Sequence, residues 1–495
     1  MNALTAHLPA LQVIVPMLMA PFVVLLRARS LPWAAATATS LLAFAIAIQL
    51  SMIVLGGSPV TYQMGSWAAP YGIELQVDAL SALVLLVITG ASSVTLIGGR
   101  ESLAAIISAD REPFFFAAWL LALAGMAGIV VSADAFNIFV FMEISSLASY
   151  VLVAGGPDRR ALPATFKYLV MGTIGATFYL IGVGLIYMMT GTLNLADMEL
   201  RVHEVADQKP ILAAAGFITV GLALKAAIFP LHVWLPNAYT YAPHIVTAFL
   251  AACATKVSLY VLLRFDFFVF QGNLVGHDFQ FAAYLMPLAI MGILVGSAVA
   301  MFERNIKRML AFSSVAQIGY IMLGASLVTA TGLTAATLHM FNHALAKGGM
   351  FLAIAAVTMV AAGCRLNDVA GMARRMPWTF AALVVAGLSL IGVPGTAGFI
   401  SKWYLINAAL ELETGGVALV ALILISSLMA VVYIWRIVEA AYFGEPSEQP
   451  TASAPPALVV ILWAVAIANI GFGIAPDLPL SLSQTAADIL LGHVQ

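Results

Sequence analysis

Charged residues are scarce in this 495-residue chain: they make up only 9% of it, whereas hydrophobic residues make up 62%. A soluble globular protein carries about 25% charged residues, so the composition indicates a polytopic membrane protein instead. Only two cysteines are present, Cys253 and Cys364, and they lie far apart in or beside apolar segments. That spacing excludes a disulfide framework, a CxxC redox pair and a cysteine-ligated zinc or iron–sulfur site.

Signatures of catalysis and of nucleic-acid binding are also missing. The net charge of −2 gives no reason to expect a nucleic-acid partner. The sequence has no Walker A motif, no GxGxxG after a strand and no nucleophile elbow. We therefore expect a non-enzymatic chain without a cofactor or metal, driven by an ion gradient or by a partner. No positively charged region precedes the first apolar run, so we expect the first helix to be retained.

Long apolar runs fill most of the chain. Because about 20 apolar residues cross a bilayer, the sequence predicts an all-α fold of about fourteen transmembrane helices. An amphipathic piece at 478–491 is expected on the surface. The spans are expected near 8–26, 33–56, 78–98, 114–132, 135–155, 165–190, 211–235, 243–263, 281–301, 309–330, 333–361, 377–410, 417–440 and 456–476.

Basic residues in the predicted loops indicate the orientation. With the N-terminus outside, twelve basic residues fall on the inner side and only Arg201, Lys209 and Arg264 on the outer side. Cytoplasmic loops carry such an excess, so we expect a bacterial cell-membrane protein with both termini outside. The inner residues are Arg27, Arg29, Arg100, Arg111, Arg159, Arg160, Arg304, Lys307, Arg308, Arg365, Arg374 and Arg375.

Helix breakers interrupt two of the spans. The first, KAAIFPLHVWLPNAY, contains Pro230 and Pro236, and the second, SLIGVPGTAGFISKW, contains Pro394. Non-helical backbone at membrane depth is tolerated only inside protein or beside water. Lys225 precedes the first break and Lys402 follows the second, and paired interrupted helices are a sequence sign of a transport site.

The two halves of the chain resemble each other faintly. The segment 144–148, ISSLA, recurs as FSSVA at 312–316, and the two lysines at the breaks follow a similar offset. Five spans per repeat would place the second copy in inverted orientation. We predict N-terminal helices in 1–112, a first repeat in 113–264, an inverted second repeat in 281–440, and a C-terminal helix and tail in 456–495.

Four ionisable residues fall in the middle of predicted spans: Glu143, Lys225, Lys256 and Lys402. A charge there costs roughly 2.5–3.5 kcal/mol on insertion scales, so we expect each to have a task or a partner. Glu143 should bind a proton or pair with a cation, and a purely structural ion pair is the alternative. The lysines either load and release protons or extend to the membrane surface, and the central position of Lys256 disfavours the latter.

His339, His343 and Lys347 lie four residues apart and form one stripe on a helix. Histidine titrates near neutral pH, so a proton relay is favoured over a zinc site or over histidines with only a structural role. Three further residues are accessory candidates. They are Lys167, His232 and His244.

Several separated blocks resemble one known family. They are FNIFVFMEISSLASY, KAAIFPLHVWLPNAY, ATKVSLYVLLR, NIKRMLAFSSVAQIGY, LHMFNHALAKGGMFLA and GTAGFISKWYL. In this order they are similar to the antiporter-like proton-translocating subunits of respiratory complex I, membrane-bound hydrogenases and Mrp-type Na+/H+ antiporters. The match runs from about residue 75 to 440.

This resemblance implies a fourteen-helix fold with two inverted five-helix repeats. It also implies that Glu143 pairs with Lys225, that Lys256 follows, and that Lys402 completes a proton path past His339 and His343. Lysine at 402, the chain length and the short C-terminus favour the D-type component of Mrp antiporters. The expected partners are other membrane subunits, the lipid bilayer, protons and Na+.

Two other interpretations stay open. The chain could serve a redox-driven proton pump, in complex I or a hydrogenase, through the same residues. It could also be a non-conducting scaffold in which the charges only hold helices together, although several charges at mid-depth disfavour this.

Overall fold

The computed structural model describes residues 3–26, 30–270, 281–361, 363–445 and 454–492. Two antiparallel strands pair Val60 with Val77 and form the single sheet of these ranges. The N-terminal elements are α1 (Ala3–Ala6), α2 (Leu8–Leu25), α3 (Leu31–Leu55), β1 (Val60–Gln63), β2 (Glu74–Val77) and α4 (Ala79–Ile106).

Fifteen further helices complete the described structure, and α11 continues into a π-helical turn, Arg264–Val269. The first seven are α5 (Glu112–Val131), α6 (Ala135–Ala154), α7 (Ala161–Thr190), α8 (Leu195–Glu204), α9 (Lys209–Lys225), α10 (Leu235–Tyr241) and α11 (His244–Leu263). The others are α12 (Phe281–Phe302), α13 (Ile306–Ser326), α14 (Ala330–Thr358), α15 (Pro377–Ile391), α16 (Ala397–Leu410), α17 (Gly416–Phe443), α18 (Pro456–Ile474) and α19 (Asp477–Leu490).

Twelve helices in the described ranges are long and apolar enough to cross a membrane. They coincide with twelve of the fourteen predicted spans. The other two predicted spans, 211–235 and 377–410, are divided between short helices, α9 with α10 and α15 with α16. The all-α membrane fold and the two broken helices are therefore confirmed.

The division into two inverted repeats, with its domain boundaries, stays a prediction. The orientation with both termini outside is likewise a prediction, and two of the basic residues behind it, Arg27 and Arg29, lie outside the described ranges.

Polar side chains cap the helices where the chain turns between spans. A cap satisfies backbone N–H groups that the first helical turn leaves unpaired, which matters most where little water is present. Five helices, α4, α6, α8, α13 and α14, have such a cap. The capping residues are Asp78, Asp134, Asn194, Asn305 and Thr329.

The first broken helix ends its outer half at Lys225 and resumes as α10. Pro230 has no N–H to donate, so the break cannot be an ordinary helical turn. The carbonyl of Leu224 accepts a hydrogen bond of 2.9 Å from the indole nitrogen of Trp234. A freed backbone group is thereby paired inside the protein, as a membrane interior requires.

The second break separates α15 from α16. Gly392 and Gly395 have φ of +91° and +85°, a region that favours glycine because a Cβ would be strained there. The carbonyls at the end of α15, Leu390 and Ile391, accept hydrogen bonds of 3.2 and 2.8 Å from the Lys402 ammonium. The break and the buried lysine therefore stabilise each other.

Four helices, α5, α11, α13 and α14, form the centre of the bundle and are buried along most of their length. In contrast, α2, α3, α6, α7, α12, α17 and α18 each have less than half of their apolar window buried within this chain. The central helices α11 and α14 carry Lys256 and the histidine stripe, so these groups are shielded from lipid on all sides.

Replacing Gly398 with alanine is expected to disturb the second break. A Cβ at this position would lie 1.8 Å from the carbonyl oxygen of Ser389, so α16 must move relative to α15. Overpacking of this kind costs about 1–3 kcal/mol. Thermal unfolding of the purified protein should show the loss, whereas Gly184→Ala in α7, where nothing lies within 4 Å, should leave stability nearly unchanged.

The C-terminal amphipathic segment does not simply lie on the surface, as the sequence suggested. It forms α19, whose face of Leu482, Ala486 and Leu490 is buried against α14 and α4. The expectation was wrong because amphipathicity reports one apolar face without indicating whether lipid or protein covers it.

Candidate functional site

Lys225 and Glu143 form an ion pair between α9 and α6. The Lys225 ammonium lies 3.5 Å from Glu143 Oε1 and donates a hydrogen bond of 2.8 Å to the Ser146 hydroxyl. The lysine side chain is 6% exposed and the glutamate side chain 28%. The pair is therefore loose and half open on the glutamate side, a geometry in which either partner can change its protonation state.

A small cavity of about 40 Å³ adjoins Lys225. Ser146, Ser149 and Tyr150 of α6 line one side, and Ser258 of α11 lines the opposite side. A cavity of this volume holds at least one water molecule, and its hydroxyl groups offer hydrogen bonds to such a water. The space between α6 and the helix that carries Lys256 is therefore polar and can be hydrated.

Lys256 is fully buried in the middle of α11. Its ammonium donates a hydrogen bond to the Ala251 carbonyl of its own helix, and no acid pairs with it among the described residues. His343 and Lys347 of α14 lie close enough to interact with it electrostatically. The snorkelling alternative is wrong for this residue, because its side chain is enclosed by protein.

His339 is held in one orientation by two side chains. Its Nδ1 lies 2.8 Å from the Ser401 hydroxyl and its Nε2 lies 2.9 Å from Gln317 Oε1. Because Oε1 can only accept, Nε2 carries a proton in this arrangement. Both ring nitrogens are occupied, which leaves no lone pair for a zinc ion.

His343 lies one turn further along α14, and its ring stacks parallel to that of His339 with centroids 6.2 Å apart. It is 2% exposed, and neither ring nitrogen has a hydrogen-bond partner within the described part of the chain. No group of three or more histidine, cysteine or acidic residues suitable for a metal ion occurs in those ranges either. Unpaired buried nitrogens of this kind are satisfied by water or by transient proton transfer.

Lys402 completes the cluster. Besides the α15 carbonyls, its ammonium donates a hydrogen bond of 3.0 Å to the Ser427 hydroxyl and lies 4.8 Å above the Tyr320 ring. The C-terminal end of a helix carries partial negative charge, so α15 favours a cation there. Tyr320 also contacts the His339 ring, at a centroid distance of 5.8 Å, and so links the lysine to the histidine stripe.

The remaining candidates are more scattered. Lys347 is fully buried and donates hydrogen bonds to the Leu310 carbonyl and the Ser313 hydroxyl. His232 lies in the first break, stacked on Phe229, and has a buried Nδ1 without a partner in the described ranges.

His244 begins α11 near the buried Lys307. Lys167 is half-buried near the start of α7, without an ion-pair partner within the described residues.

Sequence reasoning missed several buried polar contacts. Arg264, expected in an outer loop, is buried at the end of α11 and forms an ion pair with Asp78, the cap of α4. Lys307, expected in an inner loop, is 1% exposed and donates a hydrogen bond of 2.8 Å to the Ala242 carbonyl. Each residue lies at a predicted span end, where hydropathy alone does not distinguish a loop charge from a buried one.

Taken together, buried ionisable groups extend through the interior from α6 to α16. The ion pair leads to a polar cavity, the cavity leads to α11 with Lys256, and the histidines lead to Lys402. The spacing suits stepwise proton transfer, since imidazole, ammonium and water can each donate and accept protons.

Comparison with known proteins places this arrangement in context. The chain is 42% identical to the N subunit of the NADH-quinone oxidoreductase of Desulforudis audaxviator, over 91% of this chain and 90% of that protein. It is 30% identical to the D subunit of the Na+/H+ antiporter of Alkalihalophilus pseudofirmus, over 90% and 89%. The fold is similar to a chain of the Mrp complex from Dietzia sp., with a TM-score of 0.90, 28% identity and coverage of 99% and 98%.

A family model agrees with these similarities. The model described as NADH:quinone oxidoreductase/Mrp antiporter, TM, matches residues 132–430, which include every residue of the buried cluster. The chain therefore belongs to the transmembrane family that NADH:quinone oxidoreductases and Mrp antiporters share.

Proposed function

We propose that this chain is the proton-conducting subunit of a multi-subunit cation/proton antiporter of the Mrp type. The observation that carries the proposal is the continuous series of buried ionisable groups from Glu143 to Lys402. Similarity to antiporter D subunits over nine-tenths of the chain supports it. The chain itself would catalyse no covalent reaction, and its partners would be further membrane subunits in a bacterial cell membrane.

The mechanism begins at the ion pair. A proton delivered to Glu143 neutralises the carboxylate and removes the charge that favours the Lys225 ammonium. At 3.5 Å and an effective dielectric near 20, that charge is worth roughly 5 kcal/mol to its partner. Lys225 then releases its proton into the adjoining cavity.

The released proton passes toward Lys256 and then along the histidine stripe. An ammonium at Lys256 repels a second proton nearby, which drives the charge onward. His343 and His339 accept and donate in turn. Lys402 receives the proton and releases it toward the opposite side of the membrane, and Na+ moves in exchange through the assembly.

A redox-driven pump is the second candidate. The 42% identity to the N subunit of a NADH-quinone oxidoreductase favours it, because this is a higher identity than the one to the antiporter protein quoted above. The same residues would conduct protons, but electron transfer in other subunits would drive them.

Copurification separates the two candidates. The tagged chain should be extracted from its native membrane in mild detergent and its companions identified by mass spectrometry. Small hydrophobic subunits without redox proteins, followed by Na+-dependent proton flux in vesicles, are expected for the antiporter. Stoichiometric flavin or iron–sulfur subunits would contradict the antiporter proposal and establish the redox-driven pump.

A further inference from the structure

Asp266 is a buried acid that the proton path described above does not use. It lies in the π-helical turn Arg264–Val269, on the same helix as Lys256 and beyond it, and is 1% exposed. Its Oδ1 accepts a long hydrogen bond of 3.5 Å from the Thr219 hydroxyl. Its Oδ2 is buried and has no hydrogen-bond partner in the part of the chain that the structure describes.

Neighbouring acids at this end of the bundle are compensated. Asp78 is paired with Arg264, and Asp134 accepts a hydrogen bond of 2.7 Å from a backbone N–H of α6. Asp197 lies 3.0 Å from an arginine one turn further along α8. Asp266 therefore differs from these acids in both burial and lack of a partner.

The elements around the turn do not offer Asp266 a free cation. Helices α8 and α19 pack against the turn. Arg201 of α8 is engaged by Asp197 and the Thr190 carbonyl, and α19 contains no lysine or arginine. The lysines of α9 lie at its two ends, away from Thr219.

These facts restrict the chemical state of Asp266. A carboxylate that is buried without a cation is strongly disfavoured relative to the neutral acid. A hard metal ion needs several oxygen ligands, and Thr219 contributes only one hydroxyl here. A protonated carboxyl meets both restrictions, since the proton removes the charge and converts Oδ2 into a donor for water.

The surroundings give that proton somewhere to go. The turn lies at the end of the bundle that the basic-residue bias assigns to the outside. Thr219 belongs to α9, the helix that ends at Lys225. A π-helical turn also departs from the regular helical hydrogen-bond pattern, a feature that is frequent at functional sites.

We propose that Asp266 is the outer proton-exchange residue of this chain, and the inference rests on the proposed proton-conducting function. Its Oδ2–H bond breaks and the proton passes through water to a neutral lysine, which leaves a carboxylate and an ammonium. The carboxylate then takes a proton from the outer solution. Atoms and charge balance over this cycle without a further reactant.

The test uses the complete assembly in vesicles, with Asp266→Asn and the control Asp197→Asn. Asp266→Asn should lower proton flux roughly tenfold or more, the scale of a lost proton-transfer group. It should also remove an infrared band of a protonated carboxylic acid, while Asp266→Glu keeps part of both signals. The control should retain full flux.

Several results would overturn the assignment. Parental flux in Asp266→Asn, or reduced flux with an unchanged carboxylic-acid band, would contradict it. If Asp266→Asn fails to assemble, Thr219→Val becomes the decisive variant: slower flux with a shifted band supports the proposal, and parental flux refutes it.

Lys225→Ala, measured beside these variants, separates this inference from the function beneath it. Loss of flux in Lys225→Ala together with parental flux in Asp266→Asn refutes only the role of Asp266. Parental flux in both refutes proton conduction by this chain as well.

Discussion

Replacing Lys225 with alanine should abolish proton flux through an assembly that still forms. The lysine is the only cation within reach of Glu143 in the described structure, and it also lines the polar cavity that leads toward α11. Removing a proton-transfer group of this kind costs about a hundredfold or more in rate. Glu143→Ala should have the same effect, because it removes the other half of the switch.

Lys209→Ala is the matched control for this experiment. It removes a lysine from the same helix, but at the exposed outer end of α9. Flux should be measured in vesicles with a pH-sensitive dye, and the amount of assembled protein determined in parallel. Normal flux in Lys225→Ala would contradict the mechanism, whereas lost assembly with little change in flux per complex would support the scaffold interpretation.

Asp78→Asn should cause the largest loss of stability. Asp78 pairs with Arg264, and both side chains are less than a tenth exposed. Removing one partner of a buried pair costs about 3–5 kcal/mol, because the other charge stays buried without compensation. Arg264 also donates to the Tyr260 hydroxyl at 3.2 Å, so the loss should spread into the junction of α4 and α11.

Denaturant titration of the purified protein measures this loss. Asp197→Asn serves as the comparison because it breaks an ion pair with Arg201 whose side chains are 22% and 45% exposed. Pairs of that kind contribute at most about 1 kcal/mol. Equal stability of the two variants would contradict a structural role for the buried pair.

Much of the fold could be predicted from the sequence because the signals are local. Apolar length identified the spans, and proline with glycine identified the breaks at Pro230 and Gly395. The breaks in turn drew attention to Lys225 and Lys402, which the structure places beside non-helical backbone. These inferences need only the neighbouring residues in the chain.

Contacts between distant segments could not be predicted in the same way. Gln317 and Ser401, which orient His339, are ordinary polar residues in apolar helices. Asp78 and Arg264 read as loop charges, since hydropathy does not reveal that the two ends meet. The surface that covers α19 was likewise decided by packing that no local pattern encodes.

Lys256→Met gives the most direct test of the central claim that protons pass through the interior of this chain. Lys256 is fully buried and has no acidic partner among the described residues, so its loss leaves no opposing charge unpaired. Proton flux should be recorded in vesicles that contain the purified assembly. We predict an assembled, stable complex without flux, and parental flux in Lys256→Met would contradict the account.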